Sequence, residues 1–168
     1  MKYERYCTIE EIRFEFIKRL QGVFMICTLG ENEIDEIMEI WLNVNIDAHD
    51  FIHKDYWLDH YDVVKKSYIP LAKTYVYKEN NEITAFISVL EDSFIGALFV
   101  KTDYQGRGIG RKLIDYCKTV YLKMELAVYA ENVNAISFYK KCDFKKMIEQ
   151  NNASSGIKEY IMMWNRRG

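Results

Sequence analysis

Proline and glycine are scarce in this chain. One proline, Pro70, and eight glycines stand among 168 residues. With no Ser-rich tract either, the sequence holds no flexible linker, low-complexity segment or internal repeat. No apolar run approaches the roughly 18 residues of a spanning helix, so no membrane partner is expected. Basic charge has no surplus: 23 Lys and Arg stand against 25 Asp and Glu, a net charge of −2. That balance gives no reason to expect nucleic acid or an anionic membrane surface as a partner. The four cysteines, Cys7, Cys27, Cys117 and Cys142, form no C-x-x-C pair. No basic, then apolar, then small-residue pattern opens the sequence. Reduced thiols in a cytoplasmic protein are expected, most of them packed as small hydrophobes.

Apolar residues make up 49% and charged residues 29%, a globular composition that at this length suits one compact domain. Thr8–Leu20 reads as an amphipathic helix, with Ile9, Ile12, Phe16 and Leu20 on one side and a capping box at Thr8 and Glu11. A short strand is predicted at Val23–Thr28, a helix at Glu31–Val44, an irregular stretch at Asn45–Lys54, and a helix at Tyr56–Tyr68 that ends near Pro70. The periodicity then changes. Thr74–Lys78, Ile83–Leu90 and Phe94–Val100 read as successive strands, with Asn80-Asn81 and Asp92-Ser93 as turns. Beyond them come a helix at Gly108–Tyr121, a strand at Met124–Tyr129, a helix at Val133–Lys141, and strands at Phe144–Ile148 and Lys158–Trp164. The sum is an α/β domain mixing antiparallel hairpins with at least one strand-helix-strand unit.

The strongest chemical signal is Gln105-Gly106-Arg107-Gly108-Ile109-Gly110, between a strand and a helix. Glycines allow positive φ and close approach of the backbone to an anion. The free N–H groups of the helix start point at such an anion. Arg107, Arg111 and Lys112 add cations where a helix dipole disfavours them, unless an anion binds there. A dinucleotide fingerprint is excluded, because Arg111 or Leu113 stands where its third glycine belongs. The P-loop fails too, because no Gly-Lys-Ser/Thr follows.

Gln105-x-x-Gly108-x-Gly110 resembles the pyrophosphate loop of the GNAT superfamily of N-acetyltransferases, Gln/Arg-x-x-Gly-x-Gly/Ala. Asn132-x-x-Ala135-x-x-Phe138-Tyr139-x-x-x-Asp143-Phe144 resembles that superfamily's N-x-x-A-x-x-F-Y-x-x-x-G-F helix. The resemblance implies a mixed, mostly antiparallel central sheet flanked by helices. It implies acetyl transfer from acetyl-CoA to a primary amine of a small molecule, peptide or protein through a ternary complex, with no metal. It assigns cofactor binding to the backbone of Leu98, Phe99 and Val100, to Gln105, Gly106, Arg107, Gly108, Ile109, Gly110 and Arg111, and to Asn132. Tyr139 takes the place of the general acid. Asp143 departs from the pattern, standing where the family has glycine. Asp tolerates the left-handed conformation that ends many helices better than most residues.

The resemblance places the acceptor near Asn45–His53, where Asp47, His49, Asp50 and Phe51 are candidate contacts, with Glu91 a further one. For the base, Glu125, Glu91, His49 and an ordered water stay open. His49 and His53 are four apart and His60 follows, but no H-E-x-x-H or completed ligand set accompanies them. A CoA-binding regulatory or protein-interaction module without catalysis is the alternative of a different class. Monomer and homodimer both fit. The family-like domain is read as 25–168. Residues 1–24 are an extension, either an extra helix or a product of start-site assignment, since the codons of Gln21-Gly22-Val23 can spell a ribosome-binding sequence before Met25.

Overall fold

A computed structural model describes residues 24–166. The helix expected at Thr8–Leu20 and Cys7 lie outside them. The described chain runs β1 (Phe24–Thr28), α1 (Ile34–Ala48), α2 (Lys54–Val63), β2 (Lys73–Glu79), β3 (Glu82–Val89), β4 (Phe94–Val100), α3 (Ile109–Val120), β5 (Lys123–Tyr129), α4 (Val133–Lys141), β6 (Lys145–Asn151) and β7 (Lys158–Asn165). The strands form one sheet in the order β1-β2-β3-β4-β5-β7-β6. Every neighbouring pair is antiparallel except β4 and β5, which are parallel and joined through α3.

Local chemistry explains the hairpins. Asn80 and Asn81 both take positive φ, 52° and 69°, as a two-residue type I′ turn between twisted strands requires. Ser93, at φ 63°, turns the chain from β3 into β4. β2 and β3 are covered on both faces, and their side chains alternate between two cores. Tyr75, Tyr77, Ala85 and Ile87 pack with Leu113 and Ile114 of α3 and Tyr139 of α4. Val76 and Phe86 pack with Ile37, Met38 and Trp41 of α1 and Trp57 of α2. The sheet therefore lies between α1 and α2 on one side and α3 and α4 on the other.

Three elements differ from expectation by more than one residue at an end. α1 continues through Asn45 to Ala48, because buried Asn45 donates from Nδ2 to the Trp41 carbonyl (2.9 Å) and so stays satisfied inside a helix. The second helix starts at Lys54. It widens into a π turn at Val64–Tyr68 and then tightens into a 3-10 turn at Ile69–Leu71, which contains Pro70. β6 runs on to Asn151 rather than Ile148, and it begins at Lys145 rather than Phe144, whose ring is buried in the core beside α4. Cys117 and Cys142 are buried free thiols and Cys27 is half-buried. Burial alone pushes Cys117 up to about 12, so it is inert as a nucleophile.

Candidate functional site

The site begins where the sheet comes apart. β4 and β5 are in register only at Phe94 with Glu125 and Ile95 with Leu126. Beyond that, β4 keeps β3 as its partner from Ala97 to Val100 and has no partner on the β5 side. The groups that β4 turns away from β3 are available to an extended ligand as a strand edge would be; Lys101 N bonds the Thr84 carbonyl, so by alternation these are the groups of Leu98 and Val100, while those of Phe99 face β3.

The glycine loop lies at the open end of this splay. A 3-10 turn at Thr102–Tyr104 leads out of β4. Gly106 and Gly108 then take φ of 75° and 77°, with open space where a Cβ would stand. Gly108 caps α3 in the left-handed conformation without any side-chain hydrogen bond, so the first N–H groups of the helix are left to an anion. Gln105 Nε2 donates to the Val100 carbonyl (3.1 Å), tying the loop to the strand. Arg107 donates to the Asp103 carbonyl (2.8 Å) and lies 4.8 Å over the Tyr104 ring. Arg111 pairs with Asp115 (3.3 Å) and donates to the Lys141 carbonyl. Ile109 is buried beneath the loop. A Cβ on Gly110 would come 3.2 Å from Phe138 and 3.6 Å from Val100. The residue is thus small because the second motif's helix packs against it.

Asn132 caps α4, its Oδ1 accepting from Ala135 N (3.0 Å). Tyr139 is 9% exposed and packs edge-on to Phe138 and Phe144, with centroids 5.1 and 5.7 Å away. Burial holds its phenol above the ordinary value, so it carries its proton at neutral pH. Asp143 takes φ 65° after the helix and pairs with Lys118 (3.2 Å). The left-handed conformation expected there is present without glycine.

On the opposite face, the C-terminal turn of α1 reaches the same opening. Asp47 accepts from Thr102 Oγ1 (3.1 Å), and Asn132 Nδ2 lies 3.2 Å from His49 Nε2. The His49 ring packs against Phe51, Trp57 and Tyr129, at 5.6, 5.2 and 5.5 Å. Burial lowers its pKa, and the Asn45 carbonyl on Nδ1 opposes that in part. Burial likewise raises the Tyr129 phenol.

The structure thus brings Leu98 to Val100, the loop residues 105–111, Asn132, His49 and Phe51 around one opening, while Tyr139 sits in the core between α4 and the sheet. It does not bring Glu91 there. Glu91 lies in the β3–β4 turn, beside Glu125 in a cavity of about 620 Å³ that also holds Leu90, Asp92 and Lys123. That cavity is at the closed end of the splay, roughly 20 Å from the loop along β4 at the usual rise per strand residue. His53 caps α2 and His60 bonds the Tyr56 carbonyl. Among the described residues, no three His, Cys, Asp or Glu side chains are grouped as metal ligands. No described helix is long and apolar enough to cross a membrane. Thr102, Trp57 and Tyr129 were not anticipated. For Tyr129, the available signal was its place at the C-terminal end of a strand feeding a helix, where α/β sheets bind ligands.

A family model described as an acetyltransferase (GNAT) domain matches residues 60–165. The peptidyl-lysine N-acetyltransferase YiaC of Escherichia coli is 31% identical over 140 residues, which cover 83% of this chain and 96% of that protein. The solution structure of apo-form YjaB from Escherichia coli superposes with a TM-score of 0.72 at 26% identity, covering 87% of this chain and 99% of that one. The PaiA N-acetyltransferase from Thermoplasma acidophilum, solved in complex with coenzyme A, reaches 0.72 at 16% identity, over 85% and 99% of the two chains.

Proposed function

Because the chain belongs to the GNAT family of acetyltransferases, we propose that it transfers the acetyl group of acetyl-CoA to a lysine side chain of a peptide or protein. Lysine is the acceptor in the names of the relatives YiaC and YjaB. The observation that carries the reading is the splay of β4 and β5 beside the left-handed turn at Gly106 and Gly108. One opening offers backbone donors for a pyrophosphate, a free strand edge for an amide-bearing arm, and access from the opposite face for an amine.

The chain's residues divide the work. The N–H groups from Gly106 to Gly110 and the start of α3 hold the phosphates, with Arg107 and Arg111 supplying charge. The β4 edge, with Asn132, aligns the pantetheine arm, so that attack occurs within a bound pair rather than on random encounter. A backbone N–H of β4 stabilises the carbonyl oxygen as it gains charge. Tyr139, protonated in its apolar setting, supplies the proton to the leaving thiolate. The experiment is a thiol-release assay with acetyl-CoA over lysine peptides. Release that depends on both peptide and protein supports the reading. Binding of acetyl-CoA with no release over a broad amine panel favours a non-catalytic CoA-binding module.

A further inference from the structure

The C-terminal turn of α1 spans the open end of the splay and is fastened on both sides. Asp47 holds Thr102, just past β4, and His49 meets Asn132, just past β5. α1 and α4 pack on opposite faces of the sheet. The His49–Asn132 contact therefore joins the two layers where the strands have parted. Its hydrogens follow from the partners. A carbonyl can only accept, so His49 Nδ1 carries the proton toward Asn45 O (3.1 Å). Asn132 Oδ1 accepts from Ala135 N, so Nδ2 is the end that donates to His49. His49 Nε2 thus presents a lone pair into the opening, covered by an amide that belongs to the candidate cofactor site.

From this geometry we infer that His49 is the catalytic base, and that Asn132 occupies its Nε2 lone pair until the cofactor's arm engages the Asn132 amide. The inference rests on the reading that amine and thioester meet in the splay. In the step, the neutral amine nitrogen attacks the thioester carbonyl carbon and the C–N bond forms. The N–H proton passes to Nε2, giving an imidazolium whose Nδ1–H stays on Asn45 O. The C–S bond breaks, and the thiolate takes the proton of Tyr139. His49 then releases its proton to water, which can re-protonate Tyr139. The base need not be strong, because attack on the carbonyl makes the amine proton far more acidic than in the free ammonium ion.

The surroundings agree. Phe51 and Trp57 cover the ring without charge, and Tyr129 from β5 is kept protonated by burial. Asp47 and Asp50 flank His49 in the chain, Asp47 being engaged by Thr102, and Glu131 precedes Asn132. Burial keeps the imidazole below its ordinary 6.5 and therefore neutral at pH 7.

The test is kcat/KM against pH for the full-length wild type and His49→Gln. The assay measures thiol release over a panel of lysine peptides, spermidine and kanamycin, and calorimetry with CoA is the control. Glutamine can still accept from Asn132 but cannot take a proton. In the wild type, deprotonation of the amine gives a first-order rise with pH, and a second-order fall is expected below 6.5, the ordinary imidazole value. His49→Gln should lower kcat/KM by about 10²- to 10⁴-fold, remove the second-order limb, and leave CoA affinity within about twofold. His49→Ala should be partly rescued by added imidazole. Turnover of His49→Gln within about threefold of wild type, or an unchanged acid limb, would overturn the assignment. Should either variant lose CoA binding, the wild-type profile decides, since a first-order limb that never steepens over the whole pH range in which the protein stays folded leaves no base titrating in the step. A wild type that binds CoA and acetylates no amine overturns the transferase reading along with this one.

Discussion

Tyr139 sets two requirements against each other at a single residue. A buried phenol is a weaker acid than a free one, which guarantees the proton is present and makes it harder to give away. Under the proposed role, the same apolar setting raises the basicity of the thiolate as well, so the pair can match although neither has its aqueous value. Tyr139→Phe keeps the packing on Phe138 and Phe144 and removes only the hydroxyl. Its kcat is expected to fall about 10²-fold while CoA affinity by calorimetry changes little. An unchanged kcat would remove Tyr139 from proton transfer. Asp143 offers a stability test. A non-glycine residue in the left-handed region costs roughly 1–2 kcal/mol, Asp less than most. Its ion pair with Lys118 adds little, the Asp143 side chain being 70% exposed. Asp143→Gly should leave the melting temperature unchanged or raise it, and Asp143→Ala should destabilise by about 1 kcal/mol in urea titration. A lower melting temperature for Asp143→Gly than for the wild type would mean that the Lys118 contact outweighs the backbone term.

Among the elements, the β4–loop–α3 unit carries most of the proposed cofactor contacts. Gly108→Glu combines a strained left-handed backbone with a carboxylate aimed where phosphate is proposed to sit. It should abolish the rise in melting temperature that acetyl-CoA gives the wild type, and a normal rise would sink the loop assignment. This unit was legible because its punctuation is local: a β-rich run, two positive-φ glycines and an apolar helical stripe lie in one continuous segment. β4 and α4 have the boundaries that periodicity predicts, for the same reason. The splay was not readable from local pattern, since it depends on where β4 stops pairing with a strand 23 residues further on, from Val100 to Lys123. The extension of α1 to Ala48 escaped because Asn45 looks like a helix breaker until its amide finds the Trp41 carbonyl. The His49–Asn132 contact crosses 83 residues of sequence, and no periodicity encodes a pair so far apart.

The whole domain is a sheet between two helical layers, opened where β4 and β5 part. Everything assigned to chemistry lies between Asp47 and Tyr139. We therefore propose that 25–168 is sufficient for the acetyl-CoA site. A chain starting at Met25 loses Phe24, which stacks on Tyr77 (5.4 Å) and lies under Lys112 (4.1 Å) but is 48% exposed. That shortened chain should melt slightly lower and bind acetyl-CoA as the full chain does; a folded Met25 chain without cofactor binding would make residues 1–24 part of the working enzyme. The most direct test of the central claim is mass spectrometry of lysine peptides incubated with acetyl-CoA and the full-length protein. One acetyl group added at the lysine Nζ, with an equal amount of free CoA thiol, is the predicted result. Unmodified peptides across a broad amine panel, from protein that calorimetry shows to be saturated with acetyl-CoA, would contradict it.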